Sequence, residues 1–108
     1  MSSLRQEKVK NLIKDLAAKF LQDESNYTSL ITVTNVNLSA DLKRATVFVT
    51  IYPESSQESA LNFLKRKRKN FKIYAKSKLS IKKIPLFDFE LDKGEKNRQR
   101  IDELLKNA

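Results

Sequence analysis

The chain has 108 residues, 40% of them hydrophobic, and carries 22 Lys and Arg against 13 Asp and Glu for a formal net charge of +9; that is one domain with material for one core, and its positive excess points to a polyanionic partner, nucleic acid ahead of an anionic membrane surface. With no Cys and no His, disulfides, thiolate zinc sites, cysteine nucleophiles and histidine-based triads are excluded, and a single Gly, Gly94, excludes a glycine-rich phosphate loop. No apolar run approaches the roughly 20 residues of a membrane span.

Residues 4 to 21 place Val9, Leu12, Ile13, Leu16, Ala17, Phe20 and Leu21 at helical spacing, which predicts an amphipathic helix over the core with Arg5, Lys8, Lys10, Lys14 and Lys19 on its polar side. From Gln22 to Ser29 the sequence turns polar and predicts a loop. Two strands follow. Ile31 and Val33 alternate with threonines, then the apolar phase slips by one to Val36 and Leu38, the mark of a bulge near Thr34 or Asn35. Ala45, Val47, Val49 and Ile51 then point one way, and Arg44, Thr46, Phe48, Thr50 and Tyr52 the other. Ser39-Ala40-Asp41 supplies turn chemistry for an antiparallel hairpin. Phe48 and Tyr52 are either base-stacking residues on an open sheet face or ordinary strand aromatics.

Pro53 ends the second strand, and Glu54 to Glu58 reads as a helix start with a serine cap. Apolar residues at Ala60, Leu61 and Leu64 resume at Phe71, Ala75 and Leu79 after the unbroken run Lys65-Arg66-Lys67-Arg68-Lys69 and Asn70. At about 100° per residue, five consecutive cations exceed a full turn, so a straight helix would aim Lys67 or Arg68 at its own apolar side. The pattern predicts helix, basic kink, helix, with Asn70 as the corner because Asn tolerates a left-handed backbone; one continuous solvated helix is the alternative. Lys76, Lys78, Lys82 and Lys83 extend the positive surface. Ile84-Pro85 ends the helical stretch. Leu86 to Leu91 alternates as a third strand, with Phe87, Phe89 and Leu91 opposite Asp88 and Glu90, and Ile101, Leu104 and Leu105 predict a short last helix. The expected architecture is α+β, a single domain over residues 1–108. Without Cys, the chain fits a cytoplasmic location, and no pair of acids is placed for catalysis.

Ile31-Thr32-Val33-Thr34-Asn35-Val36, then Leu38-Ser39-Ala40-Asp41-Leu42, then Ala45-Thr46-Val47-Phe48-Val49 stand in one order and spacing, preceded by Arg5, Val9, Ile13, Leu16 and Leu21 and closed by Ile84-Pro85, Phe89, Asp92 and Ile101-Asp102-Glu103-Leu104-Leu105. Together these motifs resemble the ribosome-binding factor A family over nearly the whole chain. The resemblance implies a KH-like fold of type II, with three strands, helices on one face and an interrupted helix in place of a GxxG loop. It also implies a non-catalytic, cytoplasmic monomer without cofactor that binds the immature 30S subunit and 16S rRNA, near the 5′ end and the neck, and assists rRNA processing. A constitutive ribosomal or structural RNA-binding protein would share the same charge. Two features depart from the family pattern. Arg68-Lys69-Asn70 occupies the place of a small-residue AxG corner, and Asp23 to Asn26 that of an acidic-proline-arginine motif. The residues expected to face RNA are Lys65, Arg66, Lys67, Arg68, Lys69, Asn70, Lys72 and Lys76, extended by Lys82 and Lys83, through phosphate contacts.

Overall fold

A computed structural model describes residues 4–24, 29–81 and 83–94. The elements run α1 (Leu4–Glu24), β1 (Leu30–Leu38), β2 (Arg44–Tyr52), a 3-10 turn (Glu54–Ser56), α2 (Gln57–Arg66), α3 (Arg68–Lys78) and β3 (Leu86–Leu91). The strands form one sheet in the order β1-β2-β3, with β1 antiparallel to β2 and β3 parallel to it. The α+β class and the element order are those expected. The last expected helix, near Ile101 to Lys106, lies outside the described residues.

Alternation in β2 sends Ala45, Val47, Val49 and Ile51 into the core. The slip in β1 is a bulge: Val33 pairs with Val49 and Asn35 with Phe48, leaving Thr34 as the extra residue. It turns Val36, opposite Val47, onto the face already used by Ile31 and Val33. The freed Thr34 hydroxyl donates across to the carboxylate of Asp92, just past the end of β3. At the hairpin, the Asp41 carboxylate accepts from Ser39 Oγ at 2.7 Å and from Lys43 N–H at 3.0 Å. These two bonds hold its pKa below the ordinary carboxylate value. Leu42 completes the turn with φ 61°.

The helices cover the face of the sheet that carries the apolar rows. Val9, Ile13, Ala17, Phe20 and Leu21 of α1, Ala60 and Leu64 of α2, and Phe71 and Ala75 of α3 are buried there with Phe87 and Phe89. Phe71 is the hub, its ring 4.7 Å from Phe87, 5.8 Å from Phe89 and 5.2 Å from Phe20. Three boundaries differ from expectation. Helix α1 runs on through Gln22, Asp23 and Glu24, because polar residues at exposed positions do not stop a helix and Glu24 is held by Lys67 at 3.4 Å. Ser56 stands at the start of α2 without a side-chain cap bond, since a 3-10 turn leads in instead. The corner also moves, from Asn70 to Lys67.

Candidate nucleic-acid interface

The apolar stripe Leu64, Phe71, Ala75 would continue through position 67 or 68 in a straight helix, and both positions are cationic. The chain resolves this by breaking at Lys67, not at Asn70. Lys67 has φ −93° and ψ 4°. That is the bridge region, open to any L-residue, so no left-handed residue is needed. Its N–H bonds back to Leu64 O at 3.0 Å, and α3 restarts with Phe71 N–H on Lys67 O at 2.9 Å. Asn70, with Arg68 and Lys69, therefore sits in the first turn of α3.

The break lets each misplaced cation find a local partner. Lys67 lies over the Phe63 ring, 5.6 Å from its centroid, and reaches Glu24. The Arg68 guanidinium donates to Lys65 O at 3.0 Å, a carbonyl at the end of α2, and stands 3.5 Å from Asp88. Lys65 bridges Asp88 and Glu90 at 2.8 Å each. Those acids alternate with the buried Phe87 and Phe89 along β3, an edge strand, so Lys65 ties the corner to the solvent-side residues of that edge. Desolvation by itself lowers the Lys65 pKa, yet the hydrogen bonds the ammonium donates to both carboxylates, and their charges, outweigh it, leaving the ammonium above its ordinary value. For Asp88, desolvation pushes upward and is outweighed by the Lys65 bond, the Phe89 N–H and the nearby cations. Its pKa is therefore lowered.

The ten expected RNA-facing residues thus divide. Lys65, Lys67 and Arg68 are engaged inside the protein. Arg66, Lys69, Asn70, Lys76 and Lys83 are exposed and Lys72 is half-buried, with no ion pair among the described residues. Lys82 lies outside the described residues. Helix α3 carries Arg68, Lys69, Lys72, Lys76 and Lys78 and no acid. Lys69, Lys72, Ile73 and Lys76 follow the i, i+3, i+4, i+7 rule and share the side of α3 turned from the core. The sequence reading missed Ile73, which is 72% exposed in the middle of that face. Its spacing from the lysines was the available signal. Asp88 and Glu90, placed by alternation on the outer side of β3, cancel part of the basic run, a pairing that no spacing in the sequence announces.

Other surfaces fit a polyanion less well. On the sheet side, Tyr52 is exposed and Phe48 half-buried among Thr46, Thr50 and Asn35, with Asp88 and Glu90 on the neighbouring strand. A groove between α1 and the start of β1, lined mainly by Ala18, Leu21, Leu30, Ile31, Tyr52 and Pro53 with Gln22, Ser29 and Thr32 among them, is mostly apolar and carries no cation.

The sequence model of the family described as ribosome-binding factor A matches residues 5–105. The chain belongs to the ribosome-binding factor A family. Ribosome-binding factor A of Chlorobaculum parvum is 35% identical over 110 residues, covering 98% of this chain and 92% of that protein. That of Natranaerobius thermophilus is 31% identical over 109 residues, covering 98% and 83%. Among solved structures, the crystal structure of ribosome-binding factor A from Thermus thermophilus superposes with a TM-score of 0.71 at 23% identity, over 79% of this chain and 93% of that one. A homology model of the Thermus thermophilus ribosome-binding factor A, fitted into a cryo-EM map of its complex with the 30S subunit, superposes with a TM-score of 0.67 at 24% identity, over 75% and 88%. At these identities the likeness to the solved structures is one of fold.

Proposed function

We propose that this ribosome-binding factor A relative binds the immature 30S subunit through 16S rRNA, near the 5′ end and the neck, and assists rRNA processing and subunit maturation. It does so without catalysis or cofactor, as a cytoplasmic monomer. Family membership and the 30S complex of the Thermus thermophilus relative support the ribosomal partner. The observation that carries the site is α3, a helix with five cations and no acid whose Lys69, Lys72 and Lys76 have no internal ion pair among the described residues. Lysines so placed contact phosphates and release counterions, giving affinity without base reading.

The test is co-sedimentation of a Lys69→Ala/Lys76→Ala variant with immature 30S subunits across a salt series. The expected result is weaker binding, and a plot of log affinity against log salt that is shallower by about 1 per lysine removed. Circular dichroism and melting remain as in the parent, because both side chains are exposed. Unchanged affinity and slope would remove α3 as the contact. Sucrose gradients of cell extract test the assembly role, since an assembly factor travels with free or immature small subunits. A protein persisting in polysomes would be a constitutive component instead.

A further inference from the structure

We propose that the outward face of α3 lies in the minor groove of an RNA double helix, with Ile73 against the riboses and Lys69 and Lys76 on phosphates to either side. This rests on the reading that α3 binds RNA and narrows the ligand to duplex. Counting about 100° per residue, Ile73 lies opposite the buried pair Phe71 and Ala75. Lys69 precedes it by four residues and Lys76 follows by three, a span of about 10.5 Å along the axis. Asn70 and Ser77 flank the same line, both exposed.

Attraction to phosphates alone has no use for an isoleucine at the centre of the face; a surface that also meets sugar carbons does. Single-stranded RNA is held by stacking bases on aromatic or guanidinium planes, or in KH domains by a GxxG clamp that a chain with one Gly does not have. The aromatics of α3 are turned away from this face, Phe71 fully buried and Tyr74 packed 5.4 Å from Phe20, while Arg68 lies about 140° around the helix from Ile73, its guanidinium drawn to Lys65 O and Asp88 at the corner. The major groove of A-form RNA is too deep and narrow for side chains, whereas its minor groove is wide, shallow and lined by riboses and 2′-hydroxyls. The polar groups beside Ile73 suit that lining. Asn70 offers an amide donor and acceptor. Ser77 Oγ donates to Tyr74 O at 2.7 Å, which leaves its lone pairs to accept from a 2′-hydroxyl. A DNA duplex presents no such group.

The experiment measures binding, at one salt concentration, to a short blunt RNA duplex, the DNA duplex of the same sequence, one RNA strand alone, and immature 30S subunits. The parent protein is expected to prefer the RNA duplex over the DNA duplex and the single strand. The decisive variant is Ile73→Lys, which adds a cation to the face. If Ile73 packs on riboses, binding to the RNA duplex weakens by about tenfold despite the added charge, with the melting temperature unchanged. Unchanged or tighter binding by Ile73→Lys overturns the proposal, as does equal affinity of the parent for DNA or for the single strand. Weakened subunit binding with duplex binding intact also overturns it and points to a ribosomal protein as the contact. Lys69→Ala/Lys76→Ala serves as the separate control. If that variant binds every nucleic acid and the subunit as the parent does, the underlying reading of α3 fails, whatever Ile73→Lys shows.

Discussion

The Lys65 ammonium, at the head of the basic run, sits 2.8 Å from the carboxylates of Asp88 and Glu90, with 29% of its side chain exposed. Partly exposed ion pairs of this kind contribute about 1 kcal/mol at most. Asp88, held below its unfolded value of about 3.9, contributes fully above that pH and loses its contribution as the pH falls through the lower folded value. Lys65, held above its unfolded value of about 10.4, contributes fully below that pH and loses it as the pH rises through the folded value. Lys65→Met is therefore expected to lower stability by roughly 1 kcal/mol near neutral pH. The deficit shrinks in acid as Asp88 protonates and in strong base as the parent's Lys65 loses its proton, which urea denaturation at a series of pH values measures. The same variant is expected to reduce 30S binding far less than Lys69→Ala does, because its charge is already matched by Asp88 and Glu90.

At the scale of elements, the position of the corner makes a prediction with a sign. Were Asn70 a left-handed corner, Asn70→Ala would cost about 1 kcal/mol. As an exposed residue in the first turn of α3, it is expected instead to be neutral or to stabilise by up to about 0.5 kcal/mol, since Ala is the better helix former. Thermal melting of the single variant decides between the two. The elements that could be read from sequence were those whose periodicity is enforced by one buried face: α1 from Val9 to Leu21, the alternation of β2, and the slip in β1 that the bulge at Thr34 absorbs. An interruption inside the basic run was also readable, because five cations cannot avoid an apolar stripe. Its location was not, because Lys67 takes a bridge conformation that leaves no compositional mark. Nor could spacing within the run tell which lysines stay free. That depends on Asp88, Glu90 and Glu24, which meet Lys65, Arg68 and Lys67 only after the chain has folded.

At the scale of the whole molecule, the charge of the described residues is unevenly spread. Helix α1 mixes Arg5, Lys8, Lys10, Lys14 and Lys19 with Glu7, Asp15, Asp23 and Glu24, while α3 is cationic throughout its charged positions. Exposed Thr32, Asn35 and Asn37 and half-buried Thr46 and Thr50 make the other side of β1 and β2 largely uncharged. A molecule with one strongly positive side is oriented by a polyanion before contact. The association rate with immature 30S subunits is thus expected to fall steeply as ionic strength rises, with a weaker change in dissociation, in stopped-flow measurements over a salt series. Topology adds a matter of sequence in time. Strands β1 and β2 meet across a short hairpin, whereas β3 must find β2 across the whole α2–α3 crossing, Leu86 against Arg44. Closing the longer loop is the slower step. β3 is therefore expected to dock on β2 after the hairpin has formed, and because it carries Asp88 and Glu90, its docking is the step that gives Lys65 and Arg68 their acidic partners.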